Sequence, residues 1–354
     1  MRYEIFESHA HHIFDLPLER AVEIFKGEMK RADVERIAFL SIPHEGKEGG
    51  KGLTFDRLQN AKTLYLKHAF SPNAYAFAHL EYPRDLTDKE RLANDFLKQV
   101  EEFSAAGFDG MKMLEGYPSF RKATGLSLFD RAYDKFYSFL EENGIPIVMH
   151  LANPESYWDV ASVPKEAIAQ GRFCDGSYPT KAELHGELSA VMKKHPNLRI
   201  TLAHFGFMAY DIRKAESWLK EYEHTALDLT PGDEQFLEML KNWEEWEVFF
   251  TRYQDRIIYG TDFYPFYNRR PQFLRTFLET EGEFEFLGKR FRGVNLDTQI
   301  LKKIYGENME KRVGAPKPID LEYIKRKALA LQDGSVKNSV PVEEDIRFIL
   351  RKLK

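Results

Sequence analysis

At 354 residues, with 43% hydrophobic and 14% aromatic content, the chain is long enough to bury one large core or two modest ones. Its net charge of -5 comes from interleaved acids and bases with no basic face, which argues against nucleic acid as a partner. The single cysteine, Cys174, excludes an intrachain disulfide. No apolar leader follows Met1 and no stretch approaches the roughly 20 apolar residues of a membrane span, so a soluble, cytoplasmic protein is the expectation.

In chain order, short apolar runs predict strands at 3–9, 36–42, 74–80, 110–114, 146–151, 199–204, 225–229 and 256–261. Amphipathic stretches predict helices at 16–31, 88–106, 129–143, 181–195 and 212–223, several closed by Gly signals such as Gly107 and Gly144. This alternation predicts an α/β protein, a (β/α)₈ TIM barrel with loop insertions and a C-terminal helical appendage. No Gly-x-Gly-x-x-Gly follows the first strand, which weighs against a dinucleotide-binding sheet.

Three stretches exceed what a barrel needs. The Gly- and Lys-rich run 44–52 lacks a Walker ending and reads as a loop rather than a phosphate cradle. Residues 153–180, rich in Trp, Tyr, Pro and Gly, read as a substrate-covering loop after strand five. Beyond residue 263, a helix is predicted near 296–312, then a Gly-Ala-Pro-Lys-Pro break at 314–318 and two short helices. The expected division is a barrel domain, 1–313, and a helical extension, 314–354, packed on the barrel or on a partner subunit.

Active groups of a (β/α)₈ barrel sit at the C-terminal ends of its strands, and these ends carry metal-ligand residue types. His9-Ala-His11 ends strand one, with both imidazoles on one face by the period of two. Lys112 lies in strand four, His150 ends strand five, His204 ends strand six and Asp262 ends strand eight. His12 has the wrong parity for the same ion, while Glu7 has the right one. Asp262 also suits a helix N-cap, and His150 and His204 could be satisfied core histidines.

These residues resemble the amidohydrolase superfamily, in its amidohydrolase-2 branch similar to aminocarboxymuconate-semialdehyde decarboxylase. The resemblance implies a mononuclear site of His9, His11, His150 and Asp262, with His204 as the proton-transfer residue and Asp262 both ligand and catalytic group. Glu7-Ser-His9-Ala-His11 has Glu where the family has Asp, which leaves Glu7 either to ligate the ion or to support a histidine. Ile304-Tyr-Gly-Glu-Asn308-Met309 resembles the family's terminal Gly-x-Asn-Ala helix, with Met309 in place of Ala. Trp158-Asp159, Asp228-Leu-Thr-Pro-Gly232 and Tyr253-Gln-Asp-Arg256 are similar to an uncharacterised subgroup that names no substrate.

The implied cofactor is one divalent metal ion, zinc above all, with manganese the alternative. The expected activity is a hydrolase directing metal-activated water at an ester, lactone or amide of a small acidic substrate. The alternatives are a non-oxidative decarboxylase of a small carboxylic acid and a catalytically silent metabolite-binding barrel. In other branches a strand-four lysine is carbamylated and bridges two metals; here Lys112 is expected to remain an amine and bind a substrate carboxylate. Further substrate contacts are expected from Trp158, Arg172, Phe205 and Tyr264, with Arg121, Lys181, Tyr117, Tyr157 and Phe207 nearby. The partner is a small molecule, with no nucleic acid or membrane, and family members are often homodimers. Cys174 has no motif for a nucleophile, and no Gly-x-Ser-x-Gly occurs.

Overall fold

A computed structural model of the chain describes residues 3–12, 16–42, 58–169, 171–230, 233–263, 269–333 and 340–354. Eight parallel strands follow one another around a single sheet in the order β1 to β8. They are β1 (Ile5–Ala10), β2 (Val34–Leu40), β3 (Ala74–Ala78), β4 (Gly110–Gly116), β5 (Ile147–Leu151), β6 (Ile200–Leu202), β7 (Thr225–Asp228) and β8 (Ile257–Ile258). A parallel bridge from Ala10 to Phe263 joins the last strand to the first, through His11 N to Phe263 O at 3.0 Å and Phe263 N to His9 O at 2.8 Å. The predicted TIM barrel is the observed fold, and β1 is its seam.

Helices return the chain between strands. The first eight are α1 (Leu18–Ala32), α2 (Gln59–Ala69), α3 (Lys89–Ala106), α4 (Pro118–Thr124), α5 (Asp134–Glu142), α6 (Lys165–Ala169), α7 (Lys181–Lys194) and α8 (Ile212–Glu221). Then follow α9 (Asp233–Met239), α10 (Trp243–Arg252), α11 (Arg270–Glu279), α12 (Thr298–Lys302), α13 (Asn308–Val313), α14 (Leu321–Gln332) and α15 (Val340–Lys352). None of the described helices is long and apolar enough to cross a membrane.

The helices form where apolar spacing and end signals agree. In α1, Leu18, Ala21, Phe25 and Glu28 form the buried stripe. In α3, Asp88 caps the Arg91 amide, and Gly107 ends the helix at φ 101°, where a Cβ would stand 2.1 Å from Pro318 O. Thr180 and Glu183 form a reciprocal capping box at the start of α7. One core cluster fills the barrel bore with Phe6, Ala38, Leu40, Tyr75, Phe77, Val148, Ala226 and Ile258; the larger one lies between strands and helices.

Two elements depart from the sequence reading. Helix α2 stands between β2 and β3, where the barrel requires a helix but no amphipathic stretch is singled out in the sequence. After α11 the chain makes an antiparallel hairpin, β9 (Glu281–Phe286) with β10 (Lys289–Val294), whose Phe284, Phe286 and Phe291 pack around Phe273. The predicted 296–312 helix is α12 and α13 joined by a π-helical turn at Lys303–Glu307. There Asn308 donates to Gln254 O and Ile257 O, tying α13 to the start of β8. Helices α14 and α15 lie against the barrel: Tyr323 meets Phe108, Phe348 meets Tyr65, and Asp345 accepts the Leu18 amide at 2.7 Å. The 44–52 run and Tyr264 lie outside the described residues.

Candidate metal centre

Strand β1 is buried along its whole length and ends in the His9-Ala-His11 pair. The two rings stand 4.9 Å apart, nearly perpendicular, with their Nε2 atoms 3.1 Å from each other. Each ring is held by its other nitrogen. His9 Nδ1 meets Asp228 Oδ2 at 2.8 Å, and His11 Nδ1 meets the Leu40 carbonyl at 2.8 Å. A carbonyl only accepts, so Nδ1 of His11 carries its proton, and the carboxylate imposes the same tautomer on His9. Burial, with Lys112 beside them, lowers both pKa values, that of His11 to about 4, so both rings are neutral. Two lone pairs therefore converge where no hydrogen bond between them is possible.

Asp262 completes this corner. It follows Thr261 at the end of β8 in the left-handed region, φ 50°, with Oδ1 3.5 Å from His11 Nε2. Burial alone would raise its pKa, but His11, His9, His204 and Arg270 overcome that and hold the carboxyl well below the usual range. Glu7 fixes the backbone on both sides: it accepts from His9 N at 3.0 Å, Thr261 N at 2.9 Å and Thr261 Oγ1 at 2.7 Å. Glu7 thus supports both strands and spends its oxygens doing so. Burial pushes it up to about 8 against those three donors. A Cβ on Gly260 would lie 2.8 Å from Ser8 Oγ and 3.2 Å from His9 Cβ, so glycine lets β8 approach the pair.

The donor atoms of His9, His11 and Asp262 all lie within 4.8 Å of one another. His150 and His204 form the neighbouring wall, with rings 4.8 Å apart and His204 5.9 Å from His9. His150 is held by Asn153 and the Ala152 backbone, burial lowers its pKa, and its buried Nε2 has no partner. His204, Phe205, Gly206 and Phe207 all adopt positive φ, a strained run that turns His204 off the end of β6. Asp228 Oδ1 and Thr230 Oγ1 pin it through the His204 amide, each at 2.8 Å. Burial lowers the His204 pKa, partly countered by Asp262 and Asp228.

Lys112 reaches from β4 to within 3.0 Å of His9 Nε2, and burial lowers its pKa to about 8. The convergent neutral imidazoles of His9 and His11 and the ionised Asp262 carboxylate are donors suited to a divalent ion that accepts nitrogen and oxygen, whereas the expected ligand His150, its Nε2 orphaned, stands outside that group. These residues fit such an ion.

The other expected contacts divide. Phe207 stacks on His204 at 5.1 Å and Tyr117 abuts His150 at 4.9 Å. Phe205 turns the opposite way, fully buried against Trp246, Phe249 and Phe250, because the left-handed run reverses its face; it is a packing residue. Trp158 donates to Pro179 O within its own loop, Arg172 is exposed, Arg121 pairs with Glu187 and Lys181 with Glu155. His12 binds Leu16 O, away from the Nε2 pair. Cys174 is buried and burial raises its thiol pKa.

Three groups went unassigned in the sequence. Asp228 orients His9 and pins His204, joining β1, β6 and β7. Arg270, from α11, donates to Asp262 Oδ2 at 3.1 Å and to its carbonyl at 2.9 Å. His79, directly after β3, is buried with Nδ1 2.9 Å from Ser41 Oγ.

A (β/α)₈ barrel with imidazoles and a carboxylate gathered at the C-terminal ends of its strands defines the class of protein. The amidohydrolase family model matches residues 85–313, more than half of the chain, and the chain belongs to that family of enzymes, which generally use a divalent metal. Among solved structures it is similar to an uncharacterised TIM-barrel protein from Bordetella bronchiseptica, with 14% identity and TM-score 0.58 over 87% of this chain and 98% of that one. It also resembles 4-oxalomesaconate hydratase from Rhodopseudomonas palustris, with 13% identity and TM-score 0.55 over 93% and 99%. 5-Carboxyvanillate decarboxylase from Sphingomonas paucimobilis follows, with 11% identity and TM-score 0.52 over 88% and 99%. At these identities the likeness is one of fold. No curated protein matches the sequence.

Proposed function

We infer that the chain is a metal-dependent hydrolase acting on an ester, lactone or amide of a small acidic substrate. The observation that carries this reading is the convergence of the His9 and His11 lone pairs, 3.1 Å apart, beside Asp262. His9, His11 and Asp262 would hold the ion, zinc or manganese, and His150, whose Nε2 is buried without a partner, would be the further ligand. When bound, such an ion supplies Lewis acidity, polarising a carbonyl and making water acidic enough to react near neutral pH.

The chain's own residues divide the remaining work. Asp262, ionised, accepts the proton of the attacking water, and Arg270 keeps its carboxylate aimed. His204, neutral through burial, hydrogen-bonds the substrate oxygen and relays to the leaving group the proton that Asp262 has taken from water, so both side chains return to their starting states. Lys112 supplies the cation for a substrate carboxylate, and Phe207 and Tyr117 keep water away from the histidine wall. A decarboxylase would use the same residues, with Lys112 again favouring an acid.

Metal analysis and zinc titration of wild type and His11→Ala test the centre: one ion per chain is expected, bound at least 100-fold more weakly in the variant. Equal binding in both would overturn it. Turnover of a panel of small acidic esters, lactones and amides in ¹⁸O-labelled water then reads the reaction. Label in the acid product supports hydrolysis. Carbon dioxide released from a carboxylic acid without label points to the decarboxylase, and metal binding with no turnover points to a binding barrel.

A further inference from the structure

The opposite face of the barrel, at the N-terminal ends of the strands, gathers three arginines. Arg199 immediately precedes β6, Arg256 immediately precedes β8, and Arg312 comes from α13, which is tied to the start of β8. Their contacts interlock. Arg256 donates to Thr225 O at 2.5 Å and Tyr222 O at 2.6 Å, Arg312 to His224 O at 3.0 Å, and Arg199 to Arg312 O at 3.5 Å. Every acceptor is a neutral carbonyl, which fixes the guanidinium groups without offsetting their charge.

Among the described residues no carboxylate pairs with any of the three, whereas Arg36, Arg121, Arg252 and Arg270 each have one. Glu223 bears on Arg256 only from beyond ion-pair distance. The Nε of Arg312 is buried and has no partner. Burial first, then Arg256 and Arg199, press its pKa down to about 9; a guanidinium does not deprotonate in a protein, so the charge stays and carries the cost of being buried beside like charges. A bound anion would relieve that cost and supply the missing acceptor.

We propose that Arg199, Arg256 and Arg312 form an anion site on the closed face of the barrel that takes a phosphoryl group. Guanidinium forks match the oxygens of phosphate, and three of them suit a doubly charged tetrahedral anion better than a planar, singly charged carboxylate. Arg199 is exposed and gives the entrance, while Arg256 and Arg312 are half-buried and form the floor. The site needs no metal and is separate from the histidine centre. The source of the phosphoryl group is either free inorganic phosphate or a phosphorylated metabolite.

The test is calorimetric titration of the full chain with inorganic phosphate and with AMP, at constant ionic strength in chloride, alongside thermal unfolding in the same buffers. Arg199→Gln removes an exposed donor and leaves the carbonyl clamps of Arg256 and Arg312 in place. His11→Ala removes a candidate metal ligand and reports any phosphate held at the other face. We expect phosphate to bind and raise Tm in wild type and His11→Ala, with affinity at least tenfold lower in Arg199→Gln. Tighter binding of AMP assigns a phosphate monoester, and tighter binding of phosphate assigns the free ion. Equal binding by wild type and Arg199→Gln, binding lost only in His11→Ala, or binding of neither probe would overturn the site. Should Arg199→Gln unfold, Arg199→Lys, which keeps charge but not the fork, is expected to weaken binding less than tenfold but measurably, and unchanged affinity there counts against the site.

Discussion

Two buried ionic clusters sit at opposite ends of the same barrel, and they are built on different terms. At the N-terminal ends of β3 and β4, Lys67 donates to Gly107 O, Lys317 O and Asp109, while Asp109 also accepts from the amides of Ala76 and Lys317. Each charge there meets its opposite and the remaining lone pairs are used. At the C-terminal ends, the His9 and His11 lone pairs face each other and His150 Nε2 has no partner. A satisfied cluster stabilises the fold; one whose acceptors converge on each other is arranged for something that arrives later.

The largest expected effect falls on the satisfied cluster. Asp109→Ala leaves Lys67 buried and uncompensated, and should cost about 3–5 kcal/mol of stability in urea unfolding with zinc affinity unchanged. A loss below 1 kcal/mol would break the contrast. Asp228→Asn does the converse. It weakens the group that orients His9, so metal affinity should fall about 10–100-fold while stability changes less than in Asp109→Ala. His150→Ala is expected to lower metal occupancy, whereas His204→Ala keeps the metal and loses turnover. Full occupancy in His150→Ala would remove it from the ligand set.

His185 sharpens the contrast from a third position. Buried on α7, it is kept neutral down to about 3, by burial first and then by Lys214 and Lys181. The unfolded chain binds that proton near 6.5. Its contribution to stability is therefore whole above pH 6.5 and is lost as pH falls from 6.5 towards 3, by about 1.4 kcal/mol per unit. In His185→Gln the acid loss between pH 6 and 4 should be shallower by about that slope. Parallel curves would show that the ring is not buried neutral. A lone buried histidine thus produces acid lability, and the His9–His11 pair, likewise buried and neutral, adds to that lability the metal site we propose.

The barrel could be read from the sequence because its strands are apolar runs bounded by clear end signals, and the histidines because they fall at strand ends. What stayed hidden depends on pairing or on backbone turns. Asp228 supports His9 across 219 positions, and nothing local to Asp228-Leu-Thr marks that contact. Phe205 and Phe207, both expected at the pocket, part company because the left-handed run after β6 breaks the alternation that strand parity assumes. The β9–β10 hairpin was legible in Glu-Gly-Glu-Phe-Glu-Phe-Leu-Gly, an alternation with a Gly turn, but falls in a region where barrel logic looks for helices. Arg270 holds Asp262 from the next helix, a contact created by the turn after β8.

The smallest expected effect concerns the link between the C-terminal helix and β1. Helix α1 has Pro17 at its N-cap with no side-chain cap of its own, and the Leu18 amide is instead taken by Asp345 from α15. Asp345 also stands 3.4 Å from buried Lys62. Asp345→Asn retains an acceptor for Leu18 and loses the charge; Asp345→Ala loses both. The difference between the two variants isolates the cap, and should be about 1 kcal/mol by urea unfolding. Zinc affinity should agree within about twofold between them, because the Asp228 and Leu40 contacts fix the two rings independently of α1. A larger drop in Asp345→Ala would mean that the histidine pair is aligned from the far end of the chain, through the His12 contact to Leu16, rather than by its own strand.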